Sequence, residues 1–159
     1  MATTRSTGYG VTAAVWNAVL TNLSDAGAWQ GFASVSQAFA AGDYTAGGSM
    51  TWTVASGDVG HNRYTVMGKT ILWRVGVANT TVGGTPSTEL RIALPNSYTA
   101  SAASVAATAL IDENGTPTTG YVLINTSGTY AQIYKTSGGN WTATTDQTDI
   151  YFQILFEIA

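Results

Sequence analysis

His61 is the one side chain able to act as a base near neutral pH, and it lies in Gly57-Asp-Val-Gly-His-Asn-Arg-Tyr64, between Asp58 and Arg63. General acid–base work needs a partner that orients the imidazole and a cleft that admits a substrate, and Ser, Thr or Asp could be such partners. The glycines before His61 instead mark a turn entering a strand, where a histidine serves as a polar loop residue or an interface contact. Two acidic groups come next. Asp112 and Glu113 precede Asn114-Gly115, and Asp146 and Asp149 flank a Thr-rich loop. A hard cation takes about six oxygen ligands, and either group could supply a few. Neither has the Asp-x-Asp-x-Asp-Gly spacing of a dedicated loop, and Asp-Glu-Asn-Gly is ordinary β-turn chemistry. The sequence has no Cys, no phosphate-cradling glycine loop, no His/Glu metal pair and no nucleophile elbow. It therefore reads as a non-enzymatic chain with no metal and no cofactor.

The aromatic residues carry a different chemistry. Tyr121, Tyr130, Tyr134 and Trp141 lie in the C-terminal third, near Asn140, Asp146 and polar loops. Exposed aromatic rings with polar neighbours stack on sugar rings, so these four are candidate glycan contacts. Trp52 and Trp73 fall among apolar residues on strand faces and read as core or interface anchors. Trp16 and Trp29 belong to a helix and its exit.

The elements that must position these residues follow from periodicity. Ile150, Phe152, Ile154, Phe156 and Ile158 alternate with Tyr151, Gln153, Leu155 and Glu157. A period of two places them on opposite faces of a strand, one of them fully apolar, and this strand is expected to be central or near-central. The same reading places strands near 32–39, 50–55, 63–67, 70–78, 88–94, 104–111, 120–125, 129–135 and 149–158. Turns are expected at Ala46-Gly47-Gly48, Gly57-Asp58, Val82-Gly83-Gly84, Asn114-Gly115, Ser127-Gly128 and Gly138-Gly139. So many short strands without helical crossovers predict an all-β fold, an antiparallel β-sandwich of jelly-roll type with one short N-terminal helix. The division expected is an arm and anchoring helix over 1–28 and a β-sandwich domain over 29–159. Residues 1–10 read as an extended arm. Thr12 can cap a helix running to about Asp25, with Gly27 ending it. Val15, Trp16, Val19, Leu20 and Leu23 share one face of that helix, and with Trp29 they are candidate virion or oligomer interface residues.

Composition bounds the partners. Charged residues make up 9% of the 159 and the net charge is −3, against roughly 25% charged in an average soluble domain. A surface so poor in charge suits burial against neighbours. The acidic balance argues against nucleic acid, which needs a basic footprint. No run near 18 apolar residues suggests a membrane span. No apolar run follows Met1–Arg5, so no secretory leader is expected. The Asn-x-Ser/Thr triplets at Asn22, Asn79, Asn114, Asn125 and Asn140 are what chance gives in so Thr-rich a chain.

Two segments resemble bacteriophage virion proteins. Val11-Thr-Ala-Ala-Val-Trp-Asn-Ala-Val-Leu-Thr-Asn-Leu23 is similar to the Thr-Ala-Ala-x-x-Asn helix that opens many small phage structural proteins. Tyr64-Thr-Val-Met-Gly-Lys-Thr-Ile-Leu-Trp73, with Val82-Gly-Gly-Thr-Pro-Ser-Thr88 and Leu90-Arg-Ile-Ala-Leu-Pro95, resembles a strand–turn–strand module of phage head and tail appendages. Together they cover less than a third of the chain. The resemblance implies a jelly-roll-like domain, usually a homotrimer, on the outside of a virion assembled in the host cytoplasm. Its partners would be sister subunits, a major capsid protein or tail components, and a host-surface glycan. A tail fibre needs a long shaft, for which 159 residues leave no room. The expected function is therefore a capsid decoration or short head-fibre protein. A tail-tip receptor-binding protein and a carbohydrate-binding β-sandwich module are the alternatives.

Overall fold

The alternation at the C-terminal end becomes β10 (Thr144–Glu157), and it runs antiparallel along β5 (Thr70–Gly84), from Glu157 opposite Thr70 to Thr144 opposite Val82. On the other side of β10 lies β7 (Val105–Glu113), with Phe152 opposite Ala109. β10 is thus a central strand. Phe152, Ile154 and Phe156 are buried while Tyr151 and Leu155 are exposed, as a period of two requires. In this structure, a computed structural model, residues 34–101 and 105–159 are described. The expected arm, the helix over 12–25 and the residues Val15, Trp16, Val19, Leu20, Leu23 and Trp29 lie outside the described residues.

From β7 the chain turns at Asn114-Gly115, with φ of 55° and 71°, into β8 (Thr116–Ile124). Two left-handed residues in a two-residue loop match the twist of a hairpin, and Asn-Gly adopts that pair at least cost. β9 (Tyr130–Lys135), β6 (Leu90–Ala93) and β2 (Tyr44–Ala46) continue the sheet beyond β8. On the β5 side lie β4 (Val59–Met67) and the short β1 (Val35–Ser36). β3 (Met50–Thr53) pairs with the far half of β5. Every pairing is antiparallel, and no α-helix occurs among the described residues.

The expected sandwich corresponds, among the described residues, to one curled half-barrel sheet of ten strands. Its hydrogen bonding runs without a break in the order β1-β4-β5-β10-β7-β8-β9-β6-β2. β5 is long enough, at 15 residues, to serve β4 along one half and β3 along the other. β3 is joined to β2 by a tight turn, so the last strand of the order is drawn toward the middle of the sheet. The Tyr44 ring of β2 stands edge-on to Trp52 of β3, centroids 5.5 Å apart. Bulges in β4 between Val59 and His61, and in β10 on either side of Thr148, add the local twist that curling needs. Val82-Gly83-Gly84 is not the turn expected from its glycines. It is the end of β5, paired with Met50 to Trp52 on β3.

The concave side holds one core. Trp73 is fully buried and meets Phe152 edge-to-face at 5.3 Å and Phe156 at 6.4 Å. Its indole N–H donates to Asn62 Oδ1 at 2.7 Å, and Asn62 Nδ2 donates to the Tyr44 hydroxyl at 3.4 Å. The Trp52 indole donates to Thr80 Oγ1 at 2.8 Å, and that hydroxyl donates to the Thr148 carbonyl at 2.7 Å. Both tryptophans therefore bury their rings without stranding a donor.

Candidate functional site

Strand alternation decides which of the four aromatic candidates reach solvent. Tyr130, Gln132 and Tyr134 point outward from β9 while Ala131 and Ile133 point into the core. Tyr121 of β8 sits opposite Tyr134, and the two rings stack with centroids 5.2 Å apart and planes 22° from parallel. Tyr130 lies four residues, about 13 Å, along the same strand face. The Arg91 guanidinium covers its ring at 4.9 Å. Tyr121 and Tyr130, both exposed, and the half-buried Tyr134 thus form an outward-facing platform two strands wide.

Trp141 does not belong to it. Its ring is 1% exposed, its indole N–H donates to the Thr88 carbonyl at 3.1 Å, and its backbone N–H donates to the Ser87 carbonyl at 2.8 Å. The Lys135 ammonium stands 5.7 Å from the ring centre. A ring closed in this way has no face to offer a sugar, and Trp141 is corrected from glycan contact to core plug.

A polar network that the sequence reading missed holds the platform. Glu89 accepts from Arg91 Nε and, at 2.8 Å, from Gln132 Nε2, while Asn125 Nδ2 donates to Gln132 Oε1. Burial works to raise the Glu89 pKa, yet hydrogen bonds from Arg91, Gln132 and Tyr134 outweigh it and hold the carboxyl below its usual range. Tyr134 is pushed the other way, up to about 12, first by burial and then by the negative charge of Glu89. Its hydroxyl stays protonated and keeps its bond to that carboxylate. The only sequence signal was the outward alternation of Glu89 and Arg91; that Gln132 and Tyr134 face them depends on the β6–β9 and β8–β9 pairings.

The two acidic groups read as turns are brought side by side. Asp149 lies opposite Asp112 on β10 and β7, and both line a hollow with Asn79, Asn114 and Asp146. Asp149 accepts from the Asn79 backbone N–H at 2.8 Å, and Asp146 accepts from the Thr81 hydroxyl at 2.9 Å. Glu113 points away, to Lys135 at 2.8 Å and to the Thr142 backbone N–H at 2.6 Å. These carboxylates tie loops together, and among the described residues no group of three is placed to hold a metal ion.

Two further features lie on the convex face. Leu110, Leu155 and Tyr151 are 63%, 54% and 41% exposed on the central strands β7 and β10, with Tyr151 directly opposite Leu110. His61 is not in a turn as expected; it points outward from β4, just after the bulge, opposite Gly76 of β5. Among the described residues no helix is long and apolar enough to cross a membrane. A scan against protein-family models and searches among curated proteins and solved structures find no match to the chain.

Proposed function

We propose that the chain is a non-enzymatic structural protein of a bacteriophage virion, a capsid decoration or short head-fibre protein displayed on the particle surface and built as a homotrimer. The observation that carries this reading is the row of Leu110, Tyr151 and Leu155, apolar side chains held outward in the middle of a sheet. Exposed apolar patches on central strands suit contact with other protein, and the 9% charge of the chain leaves little to oppose it. In this reading the curled sheet fills the role of the jelly-roll-like sandwich, since one core joins residues of β2 and β6 to those of β5 and β10. Sister copies cover the convex row. Val15, Trp16, Val19, Leu20, Leu23 and Trp29 attach the domain to a capsid or tail protein.

The Tyr121–Tyr134 stack with Tyr130 beside it favours a second reading, in which the domain is a tail-tip protein or free module that binds a host-surface glycan. Immunogold labelling of purified particles of the phage that encodes the chain separates the two. Gold over heads supports decoration, and gold at the tail tip supports receptor binding. Particles without gold, or a dilute sample that sediments only as monomer, overturn the assembly reading.

A further inference from the structure

Arg63 and Arg74 stand directly opposite each other on β4 and β5, both exposed on the convex face. Side chains so paired have Cβ atoms about 5 Å apart, and like charges there repel. The chain has only six Lys and Arg in all. Among the described residues the two ion pairs lie elsewhere, Arg91 with Glu89 and Lys135 with Glu113, so neither member of this arginine pair is neutralised by a carboxylate there. His61 lies next to them on the same face of β4, and the bulge between Val59 and His61 sets its direction. Its ring lies flat against Gly76, where any Cβ would strike the imidazole. A glycine opposite and a bulge behind leave room for the ring beside the two guanidiniums.

The two guanidiniums and the imidazole open into one groove of about 490 Å³, lined by Ser34, His61, Arg63, Thr65, Leu72 and Arg74. Two adjacent guanidiniums match the paired oxygens of a carboxylate, phosphate or sulfate group. The groove is far larger than one such group and falls in the range of small-ligand sites. Beyond the arginines its walls offer the hydroxyls of Ser34 and Thr65 and the apolar side of Leu72, the mixed lining that a sugar ring takes. The acidic net charge of the protein disfavours a long polyanion, which would meet repulsion outside the groove.

We infer that this groove is a binding site for an acidic saccharide, whose anionic group seats between Arg63 and Arg74 beside His61 and whose ring lies along Thr65 and Leu72. The site is distinct from the tyrosine platform and stands independently of the virion reading. Burial first, then the charges of Arg74 and Arg63, lower the His61 pKa, so the imidazole is neutral in the empty site. A bound anion reverses that repulsion, and binding takes up a proton. The groups around the imidazole are Arg63 on β4, Arg74 on β5 and the Tyr151 phenol on β10; the Asp58 carboxylate of the preceding turn is held by the Ala55 backbone N–H at 2.7 Å.

Titration calorimetry of the full chain with sialyllactose and with glucose 6-phosphate tests this, against neutral lactose, inorganic phosphate and a short single-stranded DNA. Both acidic sugars are expected to bind more tightly than lactose. Arg63→Gln and Arg74→Gln should each weaken them about tenfold or more, and Arg91→Gln should leave them unchanged. Affinity should rise as pH falls through the imidazole range, and His61→Gln should flatten that rise. Both arginine variants should remain folded, because each relieves a like-charge pair. Lactose binding as well as the acidic sugars, or inorganic phosphate binding as tightly as the sugar phosphate, overturns the inference. So does tighter binding of the DNA, no binding of either acidic sugar, or arginine variants that bind like the parent.

Discussion

Replacing Phe152 by alanine removes a buried ring from the strand at the centre of the sheet, and its cost can be worked from its surroundings. The side chain is 6% exposed and stands edge-to-face with Trp73 at 5.3 Å. Trp73 is anchored by its bond to Asn62 and cannot slide far into the vacated space without breaking it. Incomplete collapse places the substitution in the usual range for a buried Phe→Ala change, about 3–5 kcal/mol. A protein of this length loses roughly 2–4 °C of Tm per kcal/mol, so a fall of about 6–20 °C is expected. The control is Leu155→Ala, three residues further along the same strand and 54% exposed. It should change the stability of the fold by no more than about 0.5 kcal/mol, while weakening self-association if the convex row is covered by sister copies. Urea and thermal unfolding at one fixed protein concentration, followed by circular dichroism and tryptophan fluorescence, measure the two stabilities, and sedimentation measures the self-association. A loss below about 1 kcal/mol for Phe152→Ala, or equal losses for the two variants, would refute the assignment of faces in β10.

Gly120→Ala should destabilise strongly, by more than about 2 kcal/mol in urea unfolding, because the added methyl meets the Tyr134 carbonyl and the Ile111 side chain. Gly76→Ala should cost less, since the obstacle there is the His61 ring, which can swing outward, and it should also weaken acidic-sugar binding. Lys135→Ala leaves Glu113 without its partner at 2.8 Å in a site where both side chains are nearly enclosed, and a loss of about 3–5 kcal/mol is expected. Tyr134 should ionise near pH 12 in a phenolate absorbance titration, above an ordinary tyrosine. Because its folded pKa is raised, its contribution is complete below the unfolded pKa near 10. It is lost as pH rises through the folded value, and Tyr134→Phe should remove that part of the alkaline fall in stability.

The sequence by itself determined β10 and the β7–β8 hairpin, because strand period and Asn-Gly turn chemistry act between neighbours in the chain. Ile150 to Phe156 could present an apolar face only as a strand, and Asn114-Gly115 could close only a tight turn. Local glycine content misled at Val82-Gly83-Gly84, where pairing with β3 keeps the chain extended through residues that elsewhere turn it. The tertiary structure decided which of the outward aromatics stay outward. Tyr121 and Tyr134 meet because β8 and β9 pair in one register, while Trp141 closes against Ser87 and Thr88, more than 50 residues away. It also decided that Arg63 faces Arg74, that His61 sits beside them over Gly76, and that one sheet curls round one core. Each of these depends on strand register and sheet order. Those are set by how apolar faces and long-range hydrogen bonds are satisfied together, and no stretch of neighbouring residues contains that condition.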